Sequence, residues 1–229
     1  MAFRDFRLGV VDMLPLLIAF VPIGALWGAL AAGKGLSPAE AGLMSAGVFA
    51  GASQFVAVEL WHDPAPILLL AFTVFIVNVR HFLMSASLSR HMGAFPKGTR
   101  GIAVYFMCDE AWAMAERRAL TQELTLAYYL GLALSAYFTW LFSSLAGAVF
   151  GAQFGDPAAY GIDFAFSAMF IAILAGFWKG PRTGAVLGAS ALAAALAKLF
   201  VPGVWYIVIG GLAGVAVAAA LYEEEAVAA

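Results

Sequence analysis

Residues 65–89 read APILLLAFTVFIVNVRHFLMSASLS, a 25-residue apolar run interrupted midway by one polar motif, Asn78-Val79-Arg80-His81. A helix needs about 20 mostly apolar residues to cross the hydrocarbon core of a bilayer, and this stretch supplies them. Seven more segments of the same character flank it, at 8–32, 38–60, 99–115, 124–150, 162–178, 183–200 and 203–222. Turn chemistry separates them: Gly33-Lys34-Gly35, His62-Asp63-Pro64, Phe95-Pro96-Lys97-Gly98, Gly155-Asp156-Pro157, Lys179-Gly180-Pro181 and Pro202-Gly203. No segment alternates with the period of a barrel strand, and unpaired backbone is costly in lipid. The fold class is therefore all-α: a polytopic transmembrane bundle of about six to eight membrane segments. It forms one integral membrane domain over 1–229, with possible repeat halves near 8–120 and 124–222.

Composition agrees. Of 229 residues, 64% are apolar and 11% charged, against roughly 25% charged in soluble domains. Twelve basic and fourteen acidic residues cannot cover a soluble surface, and a net charge of −2 offers no field for nucleic acid. The single cysteine, Cys108, excludes an internal disulfide and a cysteine-based zinc site. There is no phosphate-cradling glycine loop followed by Lys-Ser/Thr, no His-Glu-x-x-His, and no nucleophile with a base at workable spacing. No cofactor, metal site or enzymatic activity is expected. The first segment follows Arg4 and Arg7 and passes Ala29-Leu30-Ala31, but at about 25 residues it exceeds a signal-peptide core of 7–15. It reads as a retained helix, with Asp12 interfacial and Gly24-x-x-x-Gly28 a packing face.

Two topologies stand. Eight crossings with the N-terminus inside place six basic residues inside and five outside, a poor bias for a positive-inside protein. If segments 38–60 and 99–115 instead dip in and return, from outside and inside respectively, nine lie inside and only Lys34 and Lys198 outside. Both segments have weak helical interiors. One holds Gly42, Gly47, Gly51, Ser53 and Gln54; the other is short and holds Asp109 and Glu110. A weak repeat at a shift of 119 pairs Gly28-Ala29 with Gly147-Ala148 and Pro38-Ala39-x-x-Gly42 with Pro157-Ala158-x-x-Gly161. Ser37-Pro38 and Asp156-Pro157 each read as an N-cap followed by an N1 proline.

Ionisable groups inside apolar segments each cost at least a few kcal/mol at depth (roughly 2.5–3.5 on insertion scales) and mark function. On the 65–89 helix, Asn78, His81 and Ser85 share one face and Thr73, Arg80 and Ser87 another, so that helix belongs at the centre of the bundle. Asp109 and Glu116 share a face with Trp112 between them. Arg80 does not lose its charge and needs a buried partner, for which Asp109 or Glu110 is the economical choice. Neighbouring carboxylates repel, which makes that pair, with His81, the candidate proton carrier. Against this stands a salt bridge that only fixes packing. Gly51-Ala52-Ser53-Gln54-Phe55 allows close backbone approach and offers hydrogen bonds from Ser53 and Gln54, or is ordinary small-residue packing. Gly210-Gly211-x-x-Gly214 is a candidate oligomer or subunit contact, and Trp61, Trp178 and Trp205 read as interface anchors.

Three blocks, Gly51-Ala52-Ser53-Gln54-Phe55, Asn78-Val79-Arg80-His81-Phe82-Leu83-Met84 and Asp109-Glu110-Ala111-Trp112-Ala113, resemble the AzlC family, the large subunit of bacterial branched-chain amino acid exporters. Pro22-Ile23-Gly24-Ala25 with Trp27-Gly28 fits that family's opening helix, while the chain beyond about 124 matches mainly in hydropathy. The resemblance implies a multi-pass secondary transporter of the bacterial inner membrane, driven by protons, exporting leucine, isoleucine, valine and methionine with a separate small subunit of AzlD type. Under that reading Gly51, Ser53, Gln54, Asn78 and Arg80 are substrate-binding candidates, and His81, Asp109 and Glu110 serve proton coupling. A homo-oligomer is compatible. The rival is a channel-like or structural subunit whose buried charges serve assembly.

Overall fold

A computed structural model describes residues 2–151, 171, 174, 175, 178, 180–203 and 205–221. Segment 162–178, the second repeat copy at Pro157-Ala158-x-x-Gly161, its Asp156-Pro157 cap and the Glu223-Glu224-Glu225 tail lie wholly or largely outside them. The described residues are helical and contain no strand. They fall into two compact units, Met1–Met169 and Phe170–Ala229.

In the first unit the elements are α1 (Ala2–Gly33), α2 (Pro38–Gly47), α3 (Gly51–Glu59), α4 (Ile67–Ser89), a 3-10 turn (Lys97–Thr99), α5 (Arg100–Tyr105), α6 (Asp109–Ala119) and α7 (Leu126–Phe150). The second holds α8 (Pro181–Phe200) and α9 (Trp205–Ala220). Helices α1, α4, α7 and α8 are long and apolar enough to cross a membrane; α9 is apolar but shorter. Helix α1 begins six residues before the apolar run, because its charged first turns keep helical hydrogen bonds at no desolvation cost. Pro15 and Pro22 lie within it.

Parallel α1 and α7 form the frame, joined along a seam of small residues that runs from Gly9 beside Gly131 to Gly28 beside Ala148. A Cβ on Gly9 would meet the Tyr128 carbonyl, on Gly28 the Ser144 carbonyl, and on Gly147 the Ala25 carbonyl. Only glycine permits such backbone approach, and in lipid close packing replaces the missing hydrophobic drive between helices. Gly24 makes room for the Ser143 side chain instead. In the second unit Gly210 and Gly214 pack on Ala194 and Ser190 of α8. Those two glycines of the expected oligomer contact thus serve the α8/α9 pair.

Segments 38–60 and 99–115 do not form single helices. The first breaks between Gly47 and Gly51, and the second between Tyr105 and Asp109, after which α6 runs on to Ala119. Each folds back to the end of the unit where it began. At α3's exit Lys34 Nζ, just past α1, donates to the Glu59 carbonyl at 3.2 Å, which places the end of α3 beside the start of α2. At the opposite end, Tyr129 donates to the Ala103 carbonyl of α5 at 2.9 Å. There Arg118 of α6 lies over the Tyr128 ring, 4.4 Å from its centroid. These are two hairpins entering from opposite ends, as the charge count of the re-entrant topology required. Arg4, Arg7, Arg117 and Arg118 gather at the end where Asp5 meets Thr125, and Lys34 lies at the other.

Candidate functional site

The tips of the two hairpins meet against the middle of α7. The Tyr137 ring packs edge-on against Phe49 at 5.1 Å and Phe106 at 4.9 Å, one aromatic from each break. Tyr105 and Tyr137 both donate to the Ala46 carbonyl, at 2.6 and 3.1 Å, satisfying an acceptor that the end of α2 leaves open. Beyond each break a new helix starts without a side-chain cap, α3 after Ala50 and α6 after Cys108. Their first N–H groups carry the positive end of the helix dipole into the interior of the unit.

Helix α4 ties to both hairpins. Asn78 Oδ1 accepts from Ser53 Oγ at 2.7 Å, fixing α3. Arg80 pairs with Asp109 at 2.9 Å, fixing α6. Asp109, the first residue of α6, therefore supplies the partner that Arg80 needed. Glu110, one step and about 100° further round the helix, turns inward and is 5% exposed beside Cys108. His81 lies within electrostatic reach of Arg80 and Asp109. The Arg80 Nε is buried with no hydrogen-bond partner among the described residues, while the His81 ring also lies against the Asn78 backbone.

Six of the eight residues singled out from the sequence are thus joined or adjacent: Ser53, Asn78, Arg80, His81, Asp109 and Glu110. Gly51 and Gln54 face elsewhere. Gly51 packs against the Trp140 ring. Gln54 is fully buried, donating through Nε2 to Ser45 at 3.1 Å and accepting through Oε1 from Trp140 Nε1 at 2.8 Å. The expected central position of α4 is met on two sides only. Leu68, Phe75 and Phe82 lie on an exposed third face within this unit.

Sequence reasoning missed a second polar rung. Glu116 accepts from Ser87 Oγ and pairs with His91 Nε2 at 3.4 Å. Its signal was present: Arg80 to Ser87 and Asp109 to Glu116 are both steps of seven, so two helices that meet at one pair meet again two turns on. Among the described residues no cluster of three metal-ligating side chains occurs.

The AzlC protein family model matches residues 15–154, which include most of α1, both hairpins, α4 and all of α7. The chain is 30% identical over 196 residues to the inner membrane protein YgaZ of Escherichia coli, covering 81% of this chain and 80% of that one. It is 30% identical to an uncharacterized membrane protein of Archaeoglobus fulgidus, over 83% and 84% of the two chains. It is 26% identical to the branched-chain amino acid transport protein AzlC of Bacillus subtilis, over 76% and 68%. No solved structure matches. A helical membrane architecture, a matched segment holding the whole Ser53–Asn78 and Arg80–Asp109 constellation, and relatives aligned over most of both chains lead to one assignment: the chain belongs to the AzlC family.

Proposed function

We propose that this chain is the large subunit of a proton-coupled exporter of branched-chain amino acids in the bacterial inner membrane, working with a small AzlD-type membrane subunit. The observation that carries the reading is the Arg80–Asp109 pair, set beside the meeting point of two opposed hairpins. A site open alternately to either side needs its ligand groups at the centre and a separate barrier towards each face. Broken helices at mid-depth are how membrane transporters supply such groups without exposing backbone to lipid. The ammonium of an amino acid pairs with Asp109. Its carboxylate takes the start of α3 near Ser53 and the free Arg80 Nε. Glu110 and His81 are the proton carriers. The transport name of the Bacillus subtilis relative agrees with the substrate class.

The test is export of labelled leucine from vesicles, with and without a proton gradient. Uphill movement that needs the gradient supports the reading; gradient-independent equilibration alone sinks it in favour of a channel. His81→Gln and Glu110→Gln keep hydrogen bonding but not titration. The variant that removes the proton carrier loses uphill export and retains exchange of labelled for unlabelled leucine. Uphill export surviving in both variants removes both residues from the coupling step.

A further inference from the structure

A cavity apart from the Arg80–Asp109 centre lies at the end of the first unit that carries the N-terminus. Helices α1, α6 and α7 and the 120–122 turn border an open pocket of about 700 Å³ there, within the ~300–1,000 Å³ of small-molecule sites. Neither Arg80 nor Asp109 lines it. Its wall combines apolar surface, from Pro15 and Met114, with charges of both signs from Asp12, Arg117 and Arg118.

Those charges are not spent on one another. Asp12 accepts from the Tyr128 hydroxyl through Oδ2 at 2.7 Å, which leaves Oδ1 without a bond among the described residues. Arg118 is held over the Tyr128 ring, and its Nε is buried with no hydrogen-bond partner. Arg117 is exposed and makes no ion pair or hydrogen bond to the described residues. An acid and two guanidinium groups held apart beside apolar walls keep charged hydrogen-bonding capacity that a ligand can meet. A ligand carrying an ammonium and a carboxylate a few ångströms apart, joined to an apolar side chain, satisfies all three kinds of wall.

We propose that this cavity is an inner capture site for free apolar amino acids, occupied before the Arg80–Asp109 centre. The ammonium meets Asp12, the carboxylate meets Arg117 and Arg118, and the side chain lies against Pro15 and Met114. Tyr128 is a positioning residue, orienting Asp12 through its hydroxyl and Arg118 through its ring. The inference rests on the exporter reading. A phosphatidylethanolamine headgroup presents the same pairing of ammonium and anion, so the test separates the two sources.

Arg117→Gln removes an exposed charge, and Asp12→Asn keeps an acceptor for Tyr128, so both variants fold. Leucine transport is measured in inside-out and right-side-out vesicles of cells that express the full chain together with its AzlD-type subunit. Each variant is expected to raise KM from the inner face about five- to tenfold, the scale of one partly exposed charge-assisted hydrogen bond. The kcat stays within about twofold, and KM from the outer face is unchanged. The competitors must follow the lost charge. Leucinamide, lacking the carboxylate, gains on leucine at the inner face of Arg117→Gln, and N-acetylleucine, lacking the ammonium, gains on it in Asp12→Asn. An unchanged inner KM in both variants, with wild-type transport intact, overturns the capture site. So does an effect that disappears in vesicles without phosphatidylethanolamine, which assigns the cavity to lipid. Wild-type vesicles that move no amino acid overturn the exporter reading itself.

Discussion

The α1/α7 seam and the contacts of α4 with the hairpins are built on opposite principles. Along α1 and α7 the backbones touch through Gly9, Gly28, Gly131 and Gly147, with no room for a methyl group. Around α4 the hairpins are held by Ser53–Asn78, Arg80–Asp109 and Ser87–Glu116, side-chain bonds that water or a ligand can replace one at a time. The comparison sets α1 and α7, joined backbone to backbone, apart from α4 with α3 and α6, joined through polar side chains. It is sharpest where the two meet, at Tyr137, a frame residue on which both hairpin tips rest.

The largest effect is expected from attacking the frame. Gly147→Val drives a branched side chain into the Ala25 carbonyl. Because the obstacle is backbone, relief by rotamer change is closed, and the cost reaches or passes the ~3 kcal/mol upper end for overpacking. Folded protein, measured as the monodisperse fraction in detergent, is expected to vanish. Wild-type recovery would mean the seam has slack.

Arg80→Ala strikes the other region. It strands Asp109, but Arg80 is 34% exposed and Asp109 17%, so the loss is about 1–3 kcal/mol rather than the ~3–5 of a fully buried pair. The double change Arg80→Ala with Asp109→Asn is expected to recover thermal stability without recovering transport. Transport returning in the double variant would reduce the pair to a structural brace.

That region also shows what could be read in advance. Apolar length and turn residues fixed the helical class, and the polar residues of 65–89 announced contact with two neighbours. Residue spacing leaves Asp109 and Glu110 equivalent, because both follow the same break. Only the orientation of α6's first turn separates them, bringing Asp109 to Arg80 and turning Glu110 inward. Gln54 teaches the converse. Its sequence neighbourhood of small residues suits a ligand, yet Ser45 and Trp140, 86 positions away in the latter case, take up both ends of its amide. Partners that distant leave no local pattern.

Gln54→Met therefore sharpens the comparison inside α3. It leaves Trp140 Nε1 buried without an acceptor, at a cost of about 1–3 kcal/mol, which should lower the melting temperature. Ser53 and Asn78 stay bonded, so KM for leucine in the folded fraction should hold. A raised KM with unchanged melting temperature would return Gln54 to the ligand.

The smallest effect lies at the mouth of the outer hairpin, where α2 begins. Ser37 and Glu40 form a capping box: Ser37 Oγ accepts from the Glu40 N–H at 3.3 Å, while Glu40 Oε2 accepts from Ser37 Oγ and its N–H, both at 2.7 Å. The Ser37 hydroxyl first, and its backbone N–H second, hold the Glu40 carboxyl below its ordinary value of 4.5. A depressed pKa in the folded state means stabilisation that is complete above the unfolded value and fades as pH falls through the folded one. Ser37→Ala should cost about 1 kcal/mol at pH 7 and less in acid, because a protonated Glu40 no longer rewards the hydroxyl. Melting temperatures of Ser37→Ala and wild type, compared at pH 7 and well below pH 4.5, check this. With Glu40→Gln as background, the cost of Ser37→Ala should no longer change with pH. A cost equal at both pH values without that background would show that the hairpin mouth is held by packing, as the frame is, and not by exchangeable polar bonds.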